Sequence, residues 1–126
     1  MRSHNNLEAW KKSVDLVVQI YRVTNGLPKE EKFGLKSQIR RAADSISLNI
    51  AEGSTGQTKK EFQKFLGYSI RSGTEVIGCL YLARRKGILI DQDFKKYYNA
   101  LEILVIKLQA LRKSLCESGT TNNREL

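Results

Sequence analysis

The sequence predicts an all-α protein: a single-domain, antiparallel, up-down-up-down four-helix bundle. Three observations lead there. Apolar residues recur at spacings of three and four over four long stretches, which puts each set on one stripe of a helix. Proline occurs once, at Pro28, and 28% of the residues are charged, a balance that suits long helices better than a sheet with its frequent turns. The breaks between stretches are short, and short connections between long helices favour antiparallel neighbours. A chain of 126 residues is long enough to bury one core without metal or disulfide staples.

Helix one is expected over 6–25. Asn5 or Asn6 is placed to cap its first amides, and Leu7, Trp10, Val14, Val17, Val18 and Tyr21 form its inner face. Gly26 ends it and Leu27-Pro28 turns the chain, with Pro28 at the first turn of helix two, where its missing N–H is not needed. Helix two is expected over 29–53, with a weak point at Gly34 where 29–33 can separate as a short turn. Its second part, Arg40 to Gly53, reads RRAADSISLNIAEG. Ser45, Asn49 and Glu52 form a polar line there beside an apolar face of Ile39, Ala42, Ala43, Ile46 and Ile50. Buried polar groups are as a rule hydrogen-bonded, so the line reads as a structural network rather than a catalytic one. Gly53 is expected to close the helix in a left-handed cap.

Ser54 to Gln57 is a short polar linker, and Thr58 with Glu61 makes a capping box for helix three, 58–86. That helix buries Phe62, Phe65, Leu66, Ser69, Gly73, Val76, Ile77, Leu80 and Ala83, and Gly87 follows its end. Asp91 is expected to cap helix four, 91–117, whose inner face reads Phe94, Tyr97, Leu101, Leu104, Val105, Leu108, Leu111 and Leu115. Segments 1–5 and 118–126 lack helical periodicity and are expected as flexible tails. Leu48, Ile103 and Ile106 fall off the inner faces, which makes them candidates for an interface between copies of the chain.

The run from Arg40 to Gly53 resembles the signature of the 23S rRNA-intervening-sequence proteins, a bacterial family of small four-helix bundles. Leu7 to Tyr21 resembles that family's first helix and Glu61 to Gly87 its third, including Phe62, Phe65, Leu66 and the step from Ser72 to Glu75. Arg71 departs from the pattern, standing where the family commonly has a small residue. The resemblance covers roughly residues 7–115 and implies a ring-shaped homo-oligomer, a pentamer, with a link to insertions in large-subunit rRNA genes. Similar bundles serve as accessory proteins of diversity-generating retroelements, engaging a reverse transcriptase and its template RNA. Ser72 and Glu75 join Ser45, Asn49 and Glu52 in the structural polar network.

Much chemistry is missing. The single histidine, His4, lies in an expected tail. Di-metal bundles need Glu-x-x-His pairs, and Glu52, Glu61, Glu75 and Glu102 have no histidine at that spacing. Zinc spacing, a phosphate-cradling glycine loop and a nucleophile elbow are also lacking. No catalytic residue, metal or cofactor is therefore expected. With the second and third helices folded at 54–57, Glu75 comes level with Lys36 and near Arg40, predicting a cross-helix ion pair. Glu52 falls near the other end of that hairpin, too far for a carboxylate pair. Cys79 and Cys116 would be offset by roughly 25 Å along the bundle, beyond the ~7 Å that a disulfide tolerates, so buried free thiols are expected. No apolar run is long enough to cross a bilayer and the first residues lack a signal-peptide core, which points to a cytoplasmic protein.

Charge is the positive signal. Lys and Arg number 22 against 13 acidic residues, a formal charge of +9, which favours polyanions such as RNA and makes binding fall steeply with salt. A membrane surface is disfavoured, because no helix combines a basic face with exposed Trp or Phe. Two stripes are the candidate nucleic-acid contacts: Lys29, Lys32, Lys36 and Arg40 on helix two, and Lys59, Lys60, Lys64 and Arg71 on helix three, with Tyr68 placed to stack a base. Arg84 to Lys86 are ambiguous, since cations at a helix C-terminus answer the macrodipole in any protein. The alternative is a protein-interaction scaffold whose charge serves solubility or an acidic partner.

Overall fold

The computed structural model describes the backbone of residues 3–125 and the side chains of 3–115. Four α-helices follow one another: α1 His4–Thr24, α2 Leu35–Ser54, α3 Lys59–Arg85 and α4 Asp91–Glu125, with a single 3-10 turn at Lys29–Glu31. Neighbours in the chain pack side by side, α1 also meets α4, and the diagonal pairs make no close backbone contact among the described residues. This is the up-down-up-down bundle that the spacing predicts.

The core is one continuous apolar column. Ile20 of α1, Ile39, Ile46 and Ile50 of α2, Leu66, Val76 and Leu80 of α3, and Leu101 and Leu108 of α4 are fully enclosed. The inner faces expected for the last three helices hold. That of α1 is turned. Ala9, Ser13, Leu16, Ile20 and Thr24 face the core, while Trp10 and Val17 only flank it and Val18 is exposed. Two hydroxyls allow this arrangement because each satisfies itself on its own helix. Ser13 Oγ donates to the Trp10 carbonyl at 2.6 Å and Thr24 Oγ1 to that of Ile20 at 2.7 Å, so burying them strands no polar atom.

Helix ends follow local chemistry, with three differences from expectation, at Ser3, Gly53 and Asp91. Ser3, not Asn5 or Asn6, caps α1, its hydroxyl accepting from the Asn6 amide at 3.0 Å. Gly34 does split helix two: 29–31 forms the 3-10 turn and α2 starts at Leu35. Gly53 is no left-handed cap, since α2 runs on to Ser54 and among the described residues only Gly87 has positive φ, at 76°. Its role is close approach: a Cβ at Gly53 would lie 2.7 Å from Phe65 Cβ and 2.9 Å from Phe62 Cδ1. Asp91 is the first residue of α4 rather than its cap, because the Phe94 amide already donates to the Ile90 carbonyl.

Two ends behave as read. Thr58 Oγ1 accepts from the Glu61 amide at 3.0 Å, fixing the start of α3. Its end is a Schellman turn: the Ile88 amide reaches the Ala83 carbonyl at 3.1 Å and the Gly87 amide that of Arg84 at 3.0 Å, which requires the left-handed residue at Gly87. The α4 backbone stays helical through 118–125, where a tail is expected, because no proline stops it and Gly119 alone costs only about 1 kcal/mol. The Cys116 side chain lies outside the described residues. Cys79 is buried and free, and burial pushes its thiol pKa upward.

Candidate nucleic-acid interface

The outer face of α3 forms an open groove of about 700 Å³. Lys60, Lys64 and Arg71 line it at intervals of four and seven residues, which keeps them on one stripe. The fourth cation, Arg112, comes from α4 and could not be assigned from local spacing. It reaches in because residue 67 is glycine: a Cβ there would stand 3.2 Å from the nearest Arg112 guanidinium nitrogen. Four cations thus face one carboxylate, Glu61, in this groove. None of the four takes part in an ion pair among the described residues. Tyr68 lines the same groove, 37% exposed, with its ring edge-on to Phe65 at 5.6 Å. Lys59 opens α3 just outside the groove lining.

The stripe expected on helix two loses one member, Arg40, to an internal contact, while Lys29, Lys32 and Lys36 form no ion pair among the described residues. Arg40 turns inward to α1. Its Nε donates to Thr24 Oγ1 at 2.9 Å, one Nη to the Tyr21 carbonyl at 2.9 Å and to Asn25 Oδ1 at 2.8 Å, and the guanidinium lies over the Tyr21 ring at 4.5 Å. These contacts reach one carbonyl and two side-chain oxygens at the C-terminal end of α1, so Arg40 clamps α2 to α1. Lys29 lies in the 3-10 turn, Lys32 reaches over the Phe33 ring at 5.3 Å, and Lys36 lines a smaller hollow with Arg41. Tyr21 completes the clamp by donating its hydroxyl to Asp44 at 2.7 Å, a bond that raises its pKa, with burial adding to the effect.

Arg84 is likewise occupied, stacked 3.9 Å from the Phe94 ring centre and paired with Asp91 at 3.3 Å. Lys86 pairs with Glu31 across the two turns at that end. Of the basic trio only Arg85 remains unassigned to a structural contact among the described residues.

The polar line of α2 is a network in part. Asn49 Nδ2 donates to the Ser45 carbonyl at 2.8 Å and its Oγ at 2.9 Å, and Ser72 of α3 donates to Ser45 Oγ at 2.9 Å. Ser69 adds a buried bond to the Ile46 carbonyl at 2.8 Å, about one helix turn before Ser72 in α3. Glu52 and Glu75 stay outside, both exposed. The expected pair of Glu75 with Lys36 or Arg40 is not formed among the described residues; Arg40 spends its donors on α1 instead.

Elsewhere the shifted acids sit in surface ion pairs, most of which join two elements. Glu8 is pulled below the usual carboxylate range by Lys107 of α4 and then Lys12, Glu31 by Lys86, and Asp91 by Lys95 and then Arg84. No cluster of three or more His, Cys, Asp or Glu side chains that could hold a metal occurs among the described residues. No helix there is long and apolar enough to cross a membrane. Leu48, Ile103 and Ile106 are 66%, 65% and 59% exposed.

The comparisons with known proteins agree with this architecture. No curated protein matches the chain. A crystal structure of a protein with unknown function from the S23 ribosomal protein family of Bacteroides thetaiotaomicron VPI-5482 has the same fold, with a TM-score of 0.81 at 24% identity, covering 86% of this chain and 98% of that one. Neither that description nor the family's names a catalytic activity. The family model described as 23S rRNA-intervening sequence protein matches residues 5–110, and a match of that extent on a four-helix chain shows that the protein belongs to this family.

Proposed function

We propose that the protein is a non-enzymatic, self-associating bundle that binds structured RNA through sequence-independent contacts to phosphates. The observation that carries this reading is the groove on α3, where Lys60, Lys64, Arg71 and Arg112 gather around a single carboxylate, Glu61, and none of the four is in an ion pair among the described residues. Exposed cations held in line by a rigid helix suit a phosphate backbone, since their positions are fixed before the ligand arrives. The family name supports RNA as the polyanion. Support for the non-enzymatic part comes from the shifted carboxylates Glu8, Glu31 and Asp91, which sit in surface ion pairs rather than in a cleft of converging acids and bases. Self-association through Leu48, Ile103 and Ile106 into a ring, a pentamer, would multiply weak single sites by avidity. In a diversity-generating retroelement the same surface would engage template RNA beside a reverse transcriptase.

Salt titration of binding to rRNA fragments tests the proposal. If all four cations meet phosphates, each groove contributes a log-log slope of roughly −3 to −4. Replacing Lys60, Lys64 and Arg71 together with Glu should abolish binding and leave the helical signal and melting unchanged, because all three side chains are exposed. Retained binding by that variant moves the site elsewhere. A wild-type protein that binds no RNA at low salt favours the protein-interaction scaffold instead.

A further inference from the structure

Phe33 is 90% exposed, more than any other large apolar side chain described. It stands on the connection between α1 and α2, at the rim of two hollows. One, of about 460 Å³, is lined by Lys32, Lys36, Arg40 and Arg41 with Tyr21 and Asp44. Arg40 and Asp44 are engaged with α1, which leaves Lys32, Lys36 and Arg41 as the charge presented there. The other hollow, about 520 Å³, holds Gln38, Glu75 and the bonded Ser45–Ser72 pair, with Arg41 again on its wall.

We propose that Phe33 is the stacking platform for one unpaired base of a bound RNA. This rests on the RNA-binding reading and adds to it the recognition of a single-stranded segment. An aromatic face flanked by cations is how proteins hold unstacked nucleotides without reading their sequence. The two hollows orient the ligand: phosphates go to the side of Lys32, Lys36 and Arg41, and the base edge goes to the side of Gln38 and Glu75. A phosphate would be repelled by Glu75, whereas a base edge can hydrogen-bond to a carboxylate or an amide. A two-fold contact between copies at this point would set the Lys32, Lys36 and Arg41 clusters against each other, which is unfavourable for a protein interface and favourable for a polyanion.

The test compares wild type, Phe33→Ala and Phe33→Trp on two RNAs sharing one stem, one a blunt duplex and one carrying an unpaired tail. Phe33→Ala should weaken the tailed RNA by about tenfold or more and leave the duplex unchanged, and Phe33→Trp should restore tail binding. If wild type binds both RNAs and Phe33→Ala binds the tailed one equally well, the stacking assignment falls while the RNA-binding reading stands. If Phe33→Ala loses both RNAs together with self-association, Phe33 belongs to an interface between copies and the assignment falls. If wild type binds neither RNA, both readings fall.

Discussion

Arg40 shows how one residue changes meaning between sequence and structure. In the sequence it is the last cation of a basic stripe. In the bundle it closes the C-terminal end of α1 with three hydrogen bonds and a ring contact. Charge-assisted bonds of this kind make up about 2 kcal/mol, so Arg40→Ala should lower unfolding stability by that order in urea titration while leaving RNA affinity nearly unchanged. Arg40→Lys should recover little, because an ammonium lacks the planar fork. Gly53 is the second case. Gly53→Ala would drive a methyl group into Phe62 and Phe65, and overpacking of that kind destabilises by about 1–3 kcal/mol, readable as a lower thermal midpoint. Neither effect follows from the residue type alone. Each depends on which side chain the neighbouring helix brings opposite.

At the scale of the element, the helices of this chain are set mainly by their apolar stripes and their ends by particular side chains. The Thr58 hydroxyl satisfies an amide that the helix cannot satisfy for itself, and Thr58→Ala should cost about 1 kcal/mol, measurable by chemical denaturation. This cap was legible because Thr58 and Glu61 carry a local signal. The face of α1 was not legible. Counting Ser13 and Thr24 as polar turns the stripe toward Leu7, Val14 and Val18, whereas both hydroxyls donate to carbonyls of their own helix and can be buried. The groove lies between these cases. Lys60, Lys64 and Arg71 share a stripe visible in the spacing of one helix, but Arg112 lies 41 positions beyond Arg71 and joins them only through the packing of α4 over Gly67.

For the molecule as a whole, ion pairs join elements that the core leaves free at the surface. Glu8 ties α1 to Lys107 of α4, and Glu31 ties the first connection to Lys86 of the third. Their carboxyl pKa values are lower folded than unfolded, so their contribution is complete above the ordinary carboxylate range and is lost as the pH falls through the lowered values. Stability should therefore decline on acidification, and Glu8→Gln with Glu31→Gln should flatten the acid limb of a thermal-midpoint profile. A second expectation concerns assembly. With Ile103 and Ile106 on one outward face of α4, Ile103→Asp with Ile106→Asp should shift sedimentation toward the monomer without changing helicity. An unchanged oligomer would move the interface to other exposed apolar residues.

Four amphipathic helices, their order, and the apolar faces of α2, α3 and α4 are written into the residues themselves, because periodicity and end signals act within a few residues. So are the net charge and the absence of spacings that metals and nucleophiles require. Which cations face solvent depends on how the helices pack. Arg40 was drawn onto α1 by the oxygens of Tyr21, Thr24 and Asn25, Arg84 was covered by Phe94, and Arg112 was admitted beside Lys64 by a missing side chain at Gly67. An ionic group is committed by the partners within a few ångströms of it, and for Arg40, Arg84 and Arg112 those partners come from other helices.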